Sequence, residues 1–276
     1  MNRLTTADRA RLIGMLVEGN SMRACSRMAG VSLNTVSKLL GDVGTACAIY
    51  QNEVLRDLPC TRIQADEIWS FCGSKARNVA PEHVGVLGHG DIWTWVAICA
   101  DTKLVPTWHV GLRDAGHATI FMNDLARRLR NRIQLTTDGH KAYLRAVESA
   151  FGSDIDYSML VKLYGEPKGA PQERRYSPGE CTGTIVGVVT GDPDEGQIST
   201  SYVERQNLTM RMSMRRFTRL TNGFSKKLFA HESAIGLHYM HYNFGRIHKT
   251  LRVTPAMEAG VSDHAWSLEE IAQLAE

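Results

Sequence analysis

IQADEIWSF, residues 63–71, is the stretch on which the reading of the fold turns. Alternation of apolar and polar positions predicts a strand over about 61–71, with Ile63, Ala65 and Ile68 packing inward and Asp66 emerging. On an ideal strand Glu67 points to the opposite face, which makes it the weaker candidate for any shared site. Trp69 and Phe71 read as core residues.

Two more acidic stretches follow. IQLTTDGHKAY, residues 133–143, puts Asp138 just after a short strand, and SYVERQNLTMR, residues 201–211, puts Glu204 on a helix. Each alone has a plain explanation. Asp138-Gly139 is a turn signal, Asp66 can cap a strand or pair with an arginine, and exposed helical glutamates are common. Together, in the order strand, strand, helix, they suggest carboxylates converging on divalent metal. Mg²⁺ prefers oxygen ligands, and Mn²⁺ is expected to substitute for it. Two such ions about 3.5–4 Å apart can drive in-line attack on a phosphodiester. Asp138, Asp66 and Glu204 are therefore the candidate catalytic and metal-ligating residues.

Charge supports a nucleic-acid partner by its distribution more than by its total, which is a net +3. Residues 205–227 carry Arg205, Arg211, Arg215, Arg216, Arg219, Lys226 and Lys227 and no acid. Solvated helix faces normally mix signs, so a one-sign run favours phosphate contact. On a predicted helix over 200–217, Glu204, Asn207, Leu208, Arg211 and Arg215 share a face, with Val203, Met210, Met214 and Phe217 as its buried stripe.

Residues 1–45 read as a small all-α module. TTADRARLIGMLVEGN (5–20), SMRACSRMAG (21–30) and VSLNTVSKLLGDVG (31–44) predict three helices, with Thr6 and Ser32 as caps and Gly19 and Gly30 as stops. Two short helices joined by a tight turn match helix-turn-helix geometry, which would offer Asn34, Thr35, Ser37 and Lys38 to DNA. A generic three-helix packing unit is the alternative. A connecting helix over 46–60 leads to a catalytic domain over 61–276. That domain reads as a strand at 61–71, a hairpin (92–100 and 104–110), and a helix at 114–131 with Ile120, Leu125 and Leu129 inward. Then come the strand before Asp138, a helix, a strand in DYSMLVKLYG (156–165), a loop or β-excursion at about 165–200, and helices at 200–217 and 228–244. The class is α/β, a mixed sheet with flanking helices behind a helix-turn-helix module.

The six cysteines form no CxxC pair or zinc pattern, and a reducing cytoplasm fits them. No apolar run approaches a membrane span, so no membrane partner is expected.

The motifs resemble those of DDE transposases of the bacterial insertion sequence 1 family. ADEIWSFCGSK (65–75) resembles the family's first-aspartate stretch and TTDGHKAY (136–143) its second. YVERQNLTMRMSMRRFTRLTNGFSK (202–226) is the most specific match, and HYNFGRIHKTLRVTPAMEAG (241–260) resembles the tail shared by many such enzymes. The resemblance implies a ribonuclease-H-like catalytic domain with Asp66, Asp138 and Glu204 as metal ligands. It further implies cleavage at insertion-sequence ends and strand transfer into target DNA. Its other implications are double-stranded DNA (terminal inverted repeats and target) as partner, a homo-oligomer on DNA, and a nucleoid-associated location. Relatives often carry a cysteine-paired zinc module ahead of the helix-turn-helix, and this chain has none. Two further readings are a catalytically inactive DNA-binding regulator derived from such an enzyme, and a structure-selective nuclease on the same fold.

Overall fold

The computed structural model describes residues 4–165, 179–218 and 221–276. Six strands, β1 (Arg62–Cys72), β2 (Gly90–Cys99), β3 (Thr107–Gly111), β4 (Ile133–Thr137), β5 (Ile155–Tyr164) and β6 (Cys181–Thr190), form one sheet in the order β3-β2-β1-β4-β5-β6. The first three are an antiparallel meander. β4 joins β1 in parallel, β5 joins β4 in parallel, and β6 returns antiparallel. Parallel neighbours need a crossover. α4 (Ala115–Ala126) and α5 (Ala142–Phe151) lie in the two connections into β4 and β5. This is the ribonuclease-H-like α/β arrangement, a mixed sheet with helices on both faces.

Two hydrophobic cores sandwich the sheet. On one face Ile63, Ala65, Trp95 and Ala97 pack with Phe121, Leu125, Tyr143 and Val147 of α4 and α5. On the other, Ile68, Val96 and Ile98 pack with Val203 and Met210 of α6 (Ser201–Ser213) and Ile235 and Tyr239 of α7 (Leu228–Met240). β2 is buried on both faces from Trp95 to Cys99, as befits a central strand.

Three N-terminal helices, α1 (Thr6–Val17), α2 (Met22–Ala29) and α3 (Leu33–Val54), are capped by Thr5, Ser21 and Ser32. α3 runs unbroken across residue 45, so the short third helix and the connecting helix read from sequence are one element. Gly44 makes this possible, because a Cβ there would meet the Ser233 carbonyl oxygen of α7 at 2.1 Å. Gly236 answers from the other helix, where a Cβ would meet the Gly44 oxygen at 2.5 Å. Leu12, Ile13, Val36 and Leu40 share their core with Leu237 and Met240 of α7, Ala256 of α8 (Pro255–Glu258) and Ile271 of α9 (Leu268–Gln273).

Of the loop or β-excursion expected at about 165–200, β6 paired with β5 is the β-excursion; residues 166–178 lie outside the described residues. Three further expectations are corrected. Ile120 is exposed, and Ala118, Phe121, Met122 and Leu125 form the buried face of α4. Trp69 and Phe71 are half-buried and belong to neither core. α6 ends at Ser213, where Met214 turns to extended backbone (φ −127°, ψ 113°) before a 3-10 turn over Arg215–Phe217. Arg219 lies outside the described residues.

The tail motif is structural where it meets the sheet. Asn243 accepts from the Val105 amide and donates to its carbonyl, both at 3.0 Å, pinning the β2–β3 connection. All six cysteines are free thiols. Among the described residues no helix is long and apolar enough to cross a membrane.

Candidate active site

β1 outruns β4. Their parallel pairing stops at Ala65↔Thr137, so Asp66 and Glu67 pair only with β2, while Asp138 follows directly after β4. The gap outside the carboxyl end of a parallel strand is where α/β sheets place their sites. Because the sheet is open there, side chains leaving β1 on opposite faces reach the same gap. Carboxylate oxygens of Asp66, Glu67 and Asp138 all lie within 4.8 Å of one another.

Glu204, in the first turn of α6, lines the same cleft but lies outside that 4.8 Å group. Its helix has no side-chain cap of its own. Gln64, two residues before Asp66 on β1, accepts from the Tyr202 and Val203 amides at 2.8 and 3.2 Å and serves instead. One turn on, Asn207 donates to Asp66 Oδ2 at 2.8 Å. The Asn207 carbonyl oxygen is buried with no partner among the described residues. Asp66, Glu67, Asp138, Glu204 and Asn207 line one cleft of about 600 Å³.

The cleft's cations hold this acidity in check. Arg113 donates to Glu67 at 2.7 Å and lies 3.6 Å from Asp138. Lys162 donates to Glu204 Oε2 at 2.5 Å, and Thr200 donates to Oε1 at 2.7 Å. Tyr143 donates to Glu67 Oε2 at 2.9 Å from a fully buried hydroxyl. Burial, and then the charges of Glu67 and Asp138, push Asp66 up to about 7. Glu67 is raised chiefly by burial, with Arg113 opposing. A hard oxygen donor set, an elevated carboxylate and an orphaned amide oxygen suit a divalent cation of the Mg²⁺ or Mn²⁺ kind.

Glu67 is the residue that sequence reading set aside. The alternation rule is obeyed, but it cannot show where the neighbouring strand stops. Arg113 and Lys162 carried no motif of their own.

The basic residues divide between two places. Arg211 lines the acidic cleft. Arg215, Arg216, Lys226 and Lys227 line a second groove of about 960 Å³, facing Asn34 and Ser37 of α3 and Arg23 of α2. Among the described residues the lining of that groove has five cations and no acid. Arg216 is the most buried of them, donating to Ser225 Oγ at 3.0 Å, and desolvation lowers its guanidinium to about 10. Three other candidates are already engaged. Thr35 bonds the Ser32 cap, Lys38 pairs with Asp42 at 2.5 Å, and Asn207 holds Asp66. Arg215 does not share the Glu204 face, because the helix ends before it.

Fold and site thus define an α/β protein of ribonuclease-H-like topology with an acidic cleft at the β1/β4 mouth. No protein-family model and no curated protein matches the sequence. Among solved structures the chain is similar to a piggyBac transposase synaptic complex with hairpin DNA, at 12% identity and TM-score 0.40, covering 99% of this chain and 71% of that one. It is also similar to the Mos1 transposase paired-end complex with left transposon end, at 12% identity and TM-score 0.22, covering 54% and 58%. A Mos1 mariner paired-end complex with Mn gives 13% identity and TM-score 0.22, covering 54% and 57%. The chain spans less than two thirds of those two Mos1 chains.

Proposed function

We propose that the protein is a metal-dependent DNA strand-cleaving and strand-joining enzyme, a transposase of the kind its motifs resemble. The observation that carries this reading is the meeting of Asp66, Glu67 and Asp138 in one cleft that Glu204 also lines. Asp66, Asp138 and Glu204 would hold Mg²⁺ or Mn²⁺, with Glu67 close enough to share the load. Divalent ions bound there supply activation of the attacking oxygen and stabilisation of the leaving one.

The chain's own residues do the positioning. Gln64 fixes the start of α6, and Asn207 holds Asp66 in one orientation. Arg113 keeps Glu67 and Asp138 together despite their like charge. Lys162 screens Glu204, and becomes available to a phosphate when Glu204 turns to a metal. The acid-free groove between α2, α3 and residues 215–227 would take a DNA backbone, with α2 and α3 as the helix-turn-helix. Duplex ends and target, in a bacterial cytoplasm, are the substrates this reading carries, with several copies acting on paired ends.

The test uses labelled duplexes bearing the DNA that flanks the coding region, with Mg²⁺ or Mn²⁺. Wild-type protein should nick and join them, while Asp66→Asn and Asp138→Asn lose at least about a hundredfold in rate and still bind. Binding by wild type with neither nicking nor joining would replace this reading with that of a DNA-binding regulator.

A further inference from the structure

An aromatic strip leaves the acidic cleft along the face of β1 and β2 that carries Glu67. Trp95 opposite Glu67 is buried under α4 and α5. The next pair on that face, Trp69↔Trp93, is only half-buried, as is Phe71 beyond it. Trp69 and Phe71 rings lie 5.7 Å apart, and Phe71 stacks on Phe224 at 4.7 Å. None of these four rings belongs to either hydrophobic core.

Cations sit over the strip from end to end. Arg113, at the cleft, lies 4.7 Å over Trp93; Lys75 is 6.0 Å from Phe71; Lys226 is 3.7 Å over Phe224. Phe224 and Lys226 also line the basic groove. The strip therefore joins the acidic cleft to the groove. Asp91, opposite Phe71, turns its carboxylate to the Ala76 amide.

We infer that this strip is a track for single-stranded DNA, with unpaired bases stacking on Trp93, Trp69, Phe71 and Phe224 and phosphates taken by Arg113, Lys75 and Lys226. Half-exposed rings interleaved with cations bind unpaired strands because every free base offers a π-face, whereas a duplex hides its faces. The cations now resting on the rings are the groups that would pass to phosphates and leave the faces to bases. The inference rests on the proposed role of the cleft only for where the strand comes from.

Binding is read in EDTA, so that cleavage plays no part. Labelled oligothymidylate of about twelve nucleotides should bind wild-type protein and quench its tryptophan fluorescence. Trp69→Ala and Phe71→Ala should each weaken that binding roughly tenfold and leave a blunt duplex of equal length unaffected, while Phe71→Tyr should bind oligothymidylate like wild type. Should an alanine variant misfold, Lys75→Ala with Lys226→Ala, both exposed, should make the salt dependence of oligothymidylate binding shallower by about 1–2 in slope. Well-folded aromatic variants that bind like wild type would overturn the track, as would wild type that binds duplex but ignores oligothymidylate. Asp66→Asn should keep its oligothymidylate binding. Loss of strand cleavage in every protein with that binding intact therefore sinks the enzyme reading and spares this one.

Discussion

At the residue scale, Lys162 and Glu204 show what a metal ion at the proposed site would have to displace. Both Glu204 oxygens are engaged, one by Lys162 and one by Thr200, so a metal ion must compete for one of them. The pair is partly exposed, and such pairs are worth up to ~1 kcal/mol. Lys162→Met should therefore tighten Mn²⁺ binding by roughly five-fold in titration calorimetry. Unchanged affinity would put Glu204 outside the metal's reach. Legibility at this scale was uneven. Asp66, Asp138 and Glu204 stood out only together, in the order strand, strand, helix, since each alone has a plain explanation. Glu67 ranked below them because its place in the cleft depends on β4 ending two residues short of it. The rings of Trp69 and Phe71 read as core because periodicity reports the face of a strand and not whether a helix covers that face.

Among the elements, α6 shows the widest gap between pattern and structure. Its helical periodicity continues through Arg215, yet the chain turns out at Met214 and sends Arg215 and Arg216 to a different groove from Arg211. No local signal marks that break, since no glycine or proline lies there. β6 could be read only as a loop or β-excursion, for a different reason. Its side chains are almost all exposed, so the run Ile185, Val186, Val188, Val189 lacks the alternation that a half-buried strand displays. The mixed sheet was legible in outline, but its strand order was not, because which strands pair across a crossover is decided by long-range packing and leaves no local pattern. Gln64 links two elements by a single side chain. Gln64→Ala would leave one buried and one partly buried amide at the start of α6 without their acceptor, costing about 1–3 kcal/mol. We expect that loss in urea unfolding, together with a cleavage rate that falls more than DNA binding does. A stability equal to wild type would show that water or another group caps α6.

Across the whole molecule, the N-terminal helices are built into the core of the remainder. Removing residues 1–45 would strip Leu237, Met240 and Ile271 of their cover, so the truncated chain should aggregate or fail to melt cooperatively by circular dichroism. A well-folded truncation with a sharp transition would instead mark those helices as separable. Acid should unfold the intact chain for a definable reason. Burial lowers His231 and His238 to about 3 and His109 to about 4 from their ordinary 6.5. As pH falls below 6.5 the unfolded chain takes up protons that these folded histidines refuse, and stability is lost. Asp66 opposes them, because folded it keeps its proton up to about 7 while unfolded it sheds it near 3.8. Glu67 and Glu232, also raised by burial, act with Asp66, while His241 and His248, also lowered by burial, act with the other three histidines. The five histidines outweigh the three carboxyls, so the melting temperature of metal-free protein should drop between pH 6.5 and 4, and a flat profile would show that the histidines are hydrated. The seating of α1 against α9 has one more outcome, for synthesis. Gly14 of α1 lies so close to Leu268 of α9 that an added methyl would touch it at 3.0 Å. α1 leaves the ribosome long before α9 is made, and until then its apolar stripe lacks one of its partners. A nascent chain halted before α9 should therefore remain a client for chaperones, however completely its first helices have formed.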